Sequence, residues 1–346
     1  MSTTTTRNQH GYAAFPALDP GLEALLSTFE FNAPENLEAL QAERERLSKS
    51  SANNLPSDLN CILHKEHVIQ GPLGDIKLSV FSRDSSSATS TTTPGVFFIH
   101  PGGMCVGSRF LSCDVALDWV RDIGAVCVTA EYRLAPEFPD PAPIEDCYAA
   151  LKWMVQNATA LHFNSSSLIV AGGSAGGGLA AGLTLLCRDR KEISVAAQVL
   201  VCPMLDPDNK TASSFQQVLP GMWSRNANRY GWDCLLGEGR YKQDVSIYAA
   251  PSRAKNVTGL PPTFIDVGEC EIFRDECVAY ASKLWTAGVS TELHVWPGAF
   301  HGFDMVVPNT SISVIARRTR NAWVNRWFQN LKIVAPASSN AINGEV

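Results

Sequence analysis

From about residue 95 onward the chain alternates short apolar runs with longer amphipathic segments. The apolar runs fall at 95–100 (Gly-Val-Phe-Phe-Ile-His), 125–131, 167–173, 196–202, 262–268 and 291–297. Helix-length segments separate them near 111–123, 143–158, 175–189, 274–288 and 311–331. Continuous Val/Ile/Leu/Phe strands are buried on both faces, and intervening helices supply the crossovers of a parallel sheet. The pattern predicts an α/β fold with a mainly parallel central sheet and helices on both faces. Upstream, 61–70 and 75–82 predict two strands joined by the Gly71-Pro72-Leu73-Gly74 turn. Residues 84–94 are almost all Ser and Thr and read as a loop.

The first 50 residues predict helices. Asp19-Pro20 offers an N-cap and a first-turn residue ahead of Leu22, Leu25, Leu26 and Phe29, spaced i, i+3, i+4, i+7. A second helix is expected from near Pro34, carrying Leu37, Leu40 and Leu47. Between 206 and 245 the rhythm breaks. This interval holds Met222, Trp223, Trp232 and two Asn-rich turns but no strand, and so long an insertion predicts a small helical cap. The expected organisation is cap helices over 1–50, a catalytic core over 51–205 and 246–334, a cap insertion over 206–245, and a loose tail over 335–346.

Composition narrows the classes. At 346 residues and 45% hydrophobic, the chain can bury one large α/β core. Lys+Arg 28 against Asp+Glu 34 gives a net charge of −6, which excludes a basic groove, and nucleic acid is not an expected partner. No run approaches the roughly 18 apolar residues of a membrane span, and the N-terminal Met-Ser-Thr-Thr-Thr-Thr-Arg has no apolar signal core. A cytoplasmic protein with reduced thiols is expected: none of the ten cysteines is spaced C-x-x-C, and most sit in apolar runs. His64 and His67 lie three apart in a strand-like stretch, so their rings point to opposite faces and no metal site is expected there.

The chemistry concentrates at Leu168-Ile169-Val170-Ala171-Gly172-Gly173-Ser174-Ala175-Gly176-Gly177-Gly178-Leu179, an apolar strand running through G-x-S-x-G into a helix. A serine at the tip of a sharp strand-to-helix turn needs small neighbours two residues either side, and Gly172 and Gly176 supply them. The Ala175 amide then opens a helix, where free N–H groups favour an oxyanion. The competing reading, a phosphate-binding turn, lacks the Lys of a P-loop and the spacing of a dinucleotide fingerprint.

A serine nucleophile needs a base, and the base needs an acid to orient it. His301 lies in Trp296-Pro297-Gly298-Ala299-Phe300-His301-Gly302-Phe303, just after a strand, whereas His294 lies within one and reads as structural. After the run at 262–268 the candidate acids are Glu269, Glu271, Asp275 and Glu276.

Five motifs in order carry a family resemblance over roughly residues 90–330. They are His100-Pro101-Gly102-Gly103; Glu131-Tyr132-Arg133-Leu134-Ala135-Pro136-Glu137 with Pro139 and Glu145-Asp146; Gly172-Gly173-Ser174-Ala175-Gly176-Gly177; Glu271-Ile272-Phe273-Arg274-Asp275-Glu276; and His301-Gly302-Phe303. The chain resembles the hormone-sensitive-lipase-like family of α/β-hydrolase carboxylesterases. The resemblance implies hydrolysis of carboxylic esters by a Ser174-His301-Glu271 triad, with Asp275 as an ion-pair or helix-start residue. It implies an oxyanion hole from the first two glycines of an H-G-G-G loop and from Ala175, a small-molecule ester partner, no cofactor or metal, and a homodimer as in many relatives.

Three departures from the family pattern stand out. The acid is Glu271 where Asp is usual, and Gly173 replaces a common Asp before the nucleophile. Pro101 occupies the first glycine position and has no N–H, which leaves the Gly102 and Ala175 amides, with Gly103 next in the loop. A slow esterase, one preferring activated esters or lactones, or a hydrolase-fold enzyme of specialised metabolism catalysing elimination, condensation or acyl transfer would each accommodate that loss. Plant gibberellin receptors resemble the family but lack the catalytic histidine, and His301 disfavours that reading. Met104, Met222 and Trp223 are candidates for binding an apolar acyl or aromatic group, with burial in the cap's own core as the alternative.

Overall fold

The computed structural model describes residues 10–25, 34–50, 59–83, 93–216, 223–237 and 245–334. Its strands are β1 (Ile62–Gly71), β2 (Gly74–Arg83), β3 (Pro94–Ile99), β4 (Val126–Ala130), β5 (Asn164–Gly173), β6 (Ala197–Val201), β7 (Thr263–Gly268) and β8 (Thr291–Trp296). They form one sheet in the order β1-β2-β4-β3-β5-β6-β7-β8. β2 runs antiparallel to β1 and β4, and every pairing from β4 across to β8 is parallel.

β3, β4, β6 and β7 are buried at every residue, so helices or loops cover both faces, as the continuous apolar runs require. The helices are α1 (Pro20–Glu23), α2 (Leu37–Lys49), α3 (Asp114–Ile123), α4 (Ala142–Gln156), α5 (Ala175–Arg190), α6 (Ala212–Phe215), α7 (Arg225–Leu236), α8 (Arg274–Thr286), α9 (Phe303–Val306) and α10 (Ser311–Val334). Arg317 ties α10 to Asp114 and Asp118 of α3, and Arg190 ties α5 to Glu145 of α4. No helix among the described residues is long and apolar enough to cross a membrane.

Strand order reverses between β3 and β5, since β4 lies on one side of β3 and β5 on the other. Open α/β sheets bind ligands in the crevice at such a switch point, beyond the carboxyl ends of the strands. Here those ends lead into the 100–106 loop after β3, Ser174 after β5, Glu271 after β7 and His301 after β8.

Glycines let α5 seat against that edge. A Cβ on Gly176 would lie 2.1 Å from the Ile99 carbonyl oxygen, and one on Gly182 would lie 1.9 Å from that of Tyr248. Each glycine weakens a helix interior by about 1 kcal/mol relative to alanine, so close backbone approach is the reason for them. Gly176→Ala is expected to destabilise the fold by about 1–3 kcal/mol through overpacking, read as a lower denaturant midpoint with an unchanged slope. An unchanged midpoint would show that the loop after β3 can withdraw freely.

The structure corrects two N-terminal boundaries. α1 is a single turn ending at Glu23, closed by Leu25 N–H donating to the Leu22 carbonyl; Leu26 and Phe29 lie outside the described residues. α2 starts at Leu37 and not near Pro34, because the Asn36 side chain caps it by accepting from the Ala39 N–H. Pro94, expected in the loop, opens β3, a strand position where proline forfeits no ladder bond. The expected tail, 335–346, lies outside the described residues.

Candidate active site

Ser174 sits between β5 and α5 with φ 54° and ψ −120°, a conformation that L-residues reach only under strain. The surroundings hold it there. Its N–H donates to the Val201 carbonyl (2.8 Å), and its own carbonyl accepts from the Gly178 and Met204 amides (3.0 Å each). A Cβ on Gly172 would lie 2.2 Å from the Gly176 carbonyl oxygen, so Gly172 is a steric requirement of this turn, whereas Gly176 answers to the end of β3. The Ala175 N–H, at the first position of α5, precedes the helix's own hydrogen bonds.

His301 follows β8 in a turn completed by Gly302, whose φ of 68° suits glycine. Its Nε2 lies 2.9 Å from Ser174 Oγ, and its Nδ1 lies 2.5 Å from Glu271 Oε2. The other oxygen of Glu271 accepts from the Gly268 N–H at 2.8 Å. A carboxylate can only accept, so His301 donates through Nδ1 and offers the bare Nε2 to the serine hydroxyl. Glu271 is 1% exposed and Ser174 4%, which places the contact chain out of bulk water. The Phe273 ring meets the imidazole edge-on, with centroids 5.0 Å apart. The span from serine to histidine is 127 residues, so the array is a product of the sheet.

The loop after β3 supplies free amides. Gly102 (φ 128°) and Gly103 (φ 59°) sit in positive-φ conformations, and among the described residues neither N–H has an acceptor. The Gly102 carbonyl closes the loop by accepting from the Cys105 and Val106 amides. His100 braces it: Nδ1–H donates to the Pro101 carbonyl (2.7 Å), the ring stacks on Tyr132 at 4.1 Å, and the Tyr132 hydroxyl donates to the His100 carbonyl. Full burial holds the His100 pKa below its ordinary value, which keeps the ring neutral. Loss of an N–H at Pro101 therefore leaves two consecutive free amides in the loop.

Comparison with known proteins shows the family of the chain. A family model described as the alpha/beta hydrolase fold matches residues 96–305. Carboxylesterase NlhH of Mycobacterium tuberculosis is 33% identical over 306 residues, covering 85% of this chain and 92% of its own. The solved structure titled bacterial heroin esterase superposes with a TM-score of 0.83 at 35% identity, over 91% of this chain and 99% of that one. Esterase LipW from Mycobacterium marinum superposes at 0.78 and 32% identity, over 90% and 96%. The chain belongs to the hormone-sensitive-lipase-like carboxylesterases of the α/β-hydrolase fold.

In this α/β-hydrolase the remaining candidate acids are engaged elsewhere. Glu269 accepts from the Gly298 N–H, Asp275 from the Ser213 N–H and from Arg274, and buried Glu276 from the Leu205 and Asp206 amides. Asp275 is thus the helix-start and ion-pair residue that the sequence predicted. His294 contacts Glu292 and stacks on Trp296, away from Ser174. Of the pocket candidates, Trp223 lies against the loop after β3: its ring would meet a Cβ on Gly103 at 2.2 Å, and its Nε1 donates to Asn228 (3.4 Å). Met104 is fully buried and faces Gly178 of α5, so it belongs to the core beneath the loop. Met222 lies outside the described residues.

Cys202 was not singled out by sequence reasoning. Its sulfur, a Glu271 oxygen and a His301 nitrogen lie within 4.8 Å of one another, the described grouping with metal-ligand chemistry. Burial and the neighbouring carboxylates of Glu271, Asp304 and Asp266 push its thiol pKa well up. A protonated thiol is a poor ligand, and the carboxylate and imidazole already hydrogen-bond each other. Asp266, Asp304 and Arg320 behind this grouping were also missed. Asp266 left a signal, a charge inside an otherwise apolar parallel strand, whereas Arg320 in Arg317-Arg318-Thr319-Arg320 reads as solvated helix surface.

Proposed function

We propose that this carboxylesterase acts through Ser174 as nucleophile, His301 as general base and Glu271 as the orienting acid. The observation that carries the reading is the continuous contact Ser174 Oγ–His301 Nε2, His301 Nδ1–Glu271 Oε2 at a strained elbow. His301 takes the hydroxyl proton as Ser174 attacks the ester carbonyl, and Glu271 stabilises the imidazolium. The Gly102, Gly103 and Ala175 amides receive the charge on the carbonyl oxygen. His301 then protonates the departing alkoxide, and water activated by the same imidazole releases the acid from the acyl-enzyme.

Within residues 1–50 and 206–245, α2 and the segment 223–237 act as a cap over this site. Three contacts support the assignment. Arg44 of α2 donates to the Cys105 and Ala135 carbonyls, Trp223 packs on Gly103, and Gly231 of α7 lies over the Gly103 carbonyl. Trp223 is buried behind the loop, so the inferred substrates, small to medium apolar or aromatic esters with lactones fitting the same chemistry, rest on the relatives and on the triad rather than on an indole wall. The names of the relatives, a carboxylesterase and a heroin esterase, point to ester substrates of that kind. Elimination, condensation or acyl transfer was motivated by Pro101, and the two free amides that follow it remove that motive.

A series of nitrophenyl esters of rising acyl length tests the reading. Turnover in the range of about 1–1,000 per second on short to medium chains is expected. No turnover of any ester, together with no labelling by a fluorophosphonate, would overturn it.

A further inference from the structure

Behind the triad lies a buried charge cluster with no part in the proton transfers of the reaction. Arg320 of α10 is 1% exposed, and its Nη2 lies 2.7 Å from both Asp266 Oδ2 and Asp304 Oδ2. The two carboxylates are equally dry, at 2% and 1% exposure. Such a cluster is a weak way to gain stability, because apolar residues of similar volume do as well or better once desolvation is counted. Its position supplies another reason.

Asp304 lies in α9, three residues after His301 in the same short turn. Asp266 lies in β7, two residues before Gly268, whose N–H holds Glu271 Oε1. Arg320 thus bridges the segment that carries the base to the strand end that seats the acid, and both bonds converge on one nitrogen. The space between is lined by Asp266, Gly268, Glu271, Gly302 and Asp304, and it is too tight for a water molecule. The two carboxylates hold the Arg320 pKa above its ordinary value, while burial pushes the Asp266 carboxyl up to about 6 against the pull of Arg320. Without the guanidinium, three buried carboxylates would face one another around this gap.

We propose that Arg320 is a positioning residue of the hydrolytic reaction, clamping the His301 turn to the Glu271 strand and so setting the two contacts of the triad. The proposal rests on the triad reading above. Asp304→Asn in the full chain keeps the Arg320–Asp266 pair and loosens only the histidine side of the clamp. It is expected to lower kcat about tenfold to a hundredfold, the effect of a small misplacement of a reacting group, with KM within about twofold of wild type. Fluorophosphonate labelling of Ser174 should slow in parallel at a temperature where denaturation shows the variant folded. Arg320→Lys should recover part of the kcat lost in Arg320→Met, because an ammonium can still reach both carboxylates.

Wild-type kcat in folded Asp304→Asn would overturn the proposal, as would a loss that tracks only the unfolded fraction. If Arg320→Met does not fold, Asp304→Asn decides alone. Ester hydrolysis that survives in Ser174→Ala sinks the triad reading itself, whereas Ser174-dependent hydrolysis untouched by Asp304→Asn sinks only the clamp.

Discussion

Ser174→Ala is expected to lower ester turnover by roughly a million-fold and to abolish labelling by a fluorophosphonate. The size follows from the contact chain. Ser174 Oγ is the atom His301 Nε2 faces at 2.9 Å, so its loss removes the covalent route and leaves the imidazole with nothing to deprotonate. What survives is stabilisation of a developing oxyanion by the Gly102, Gly103 and Ala175 amides, which acts on attack by water. The fold should not change, because Ser174 is held through its backbone N–H and carbonyl and alanine keeps both. Circular dichroism and the denaturant midpoint check that point. A variant that retains more than a few per cent of wild-type activity would mean that another group is the nucleophile.

Glu271→Gln is the second large effect, about ten-thousand-fold in kcat. Glu271 Oε1 accepts from the Gly268 N–H at 2.8 Å, while Oε2 takes the proton of His301 Nδ1. A glutamine in this seat must turn its carbonyl oxygen toward Gly268, because its NH₂ cannot accept from an amide. That choice points the NH₂ at His301 Nδ1. The imidazole then carries its proton on Nε2, which faces Ser174 and can no longer act as a base. The geometry is preserved and the tautomer is wrong. Steady-state kinetics on a nitrophenyl ester measure the loss, with fluorophosphonate labelling slowed in proportion. A loss under tenfold would show that Glu271 is not the orienting acid.

Legibility in the sequence followed locality. β3, β4, β6 and β7 were readable because a strand buried on both faces must be apolar throughout, and their observed bounds fall within a few residues of the runs. The elbow was readable in part because Gly172 is demanded by the Gly176 carbonyl four residues on, whereas the contact that demands Gly176, the Ile99 carbonyl, comes from a distant strand. Helix starts were less legible: Pro34 suggests a start for α2, and the Asn36 side chain's bond to Ala39 N–H moves it to Leu37. The role of Trp223 was open between pocket wall and cap core, and its place beside Gly103 depends on how residues 120 apart in the chain are brought together by the fold.

The clearest division lies in the carboxylates. By itself the sequence pointed to an α/β-hydrolase fold and offered Ser174 as the elbow serine and His301 as the candidate base, because those readings rest on short motifs and strand periodicity. Within the residues alone, Glu269, Glu271, Asp275 and Glu276 were chemically equivalent, and only the family resemblance singled out Glu271. Tertiary structure separated them by bringing each a different hydrogen-bond donor, which is Gly298 for Glu269, His301 for Glu271, Ser213 for Asp275 and Leu205 for Glu276. It also converted Arg320 from apparent surface charge into a buried clamp, since its partners lie 16 and 54 residues away in the chain. The physical reason is common to both. Periodicity and turn sterics act between chain neighbours, whereas burial and hydrogen-bond direction are set only when distant strand ends meet at one edge of the sheet.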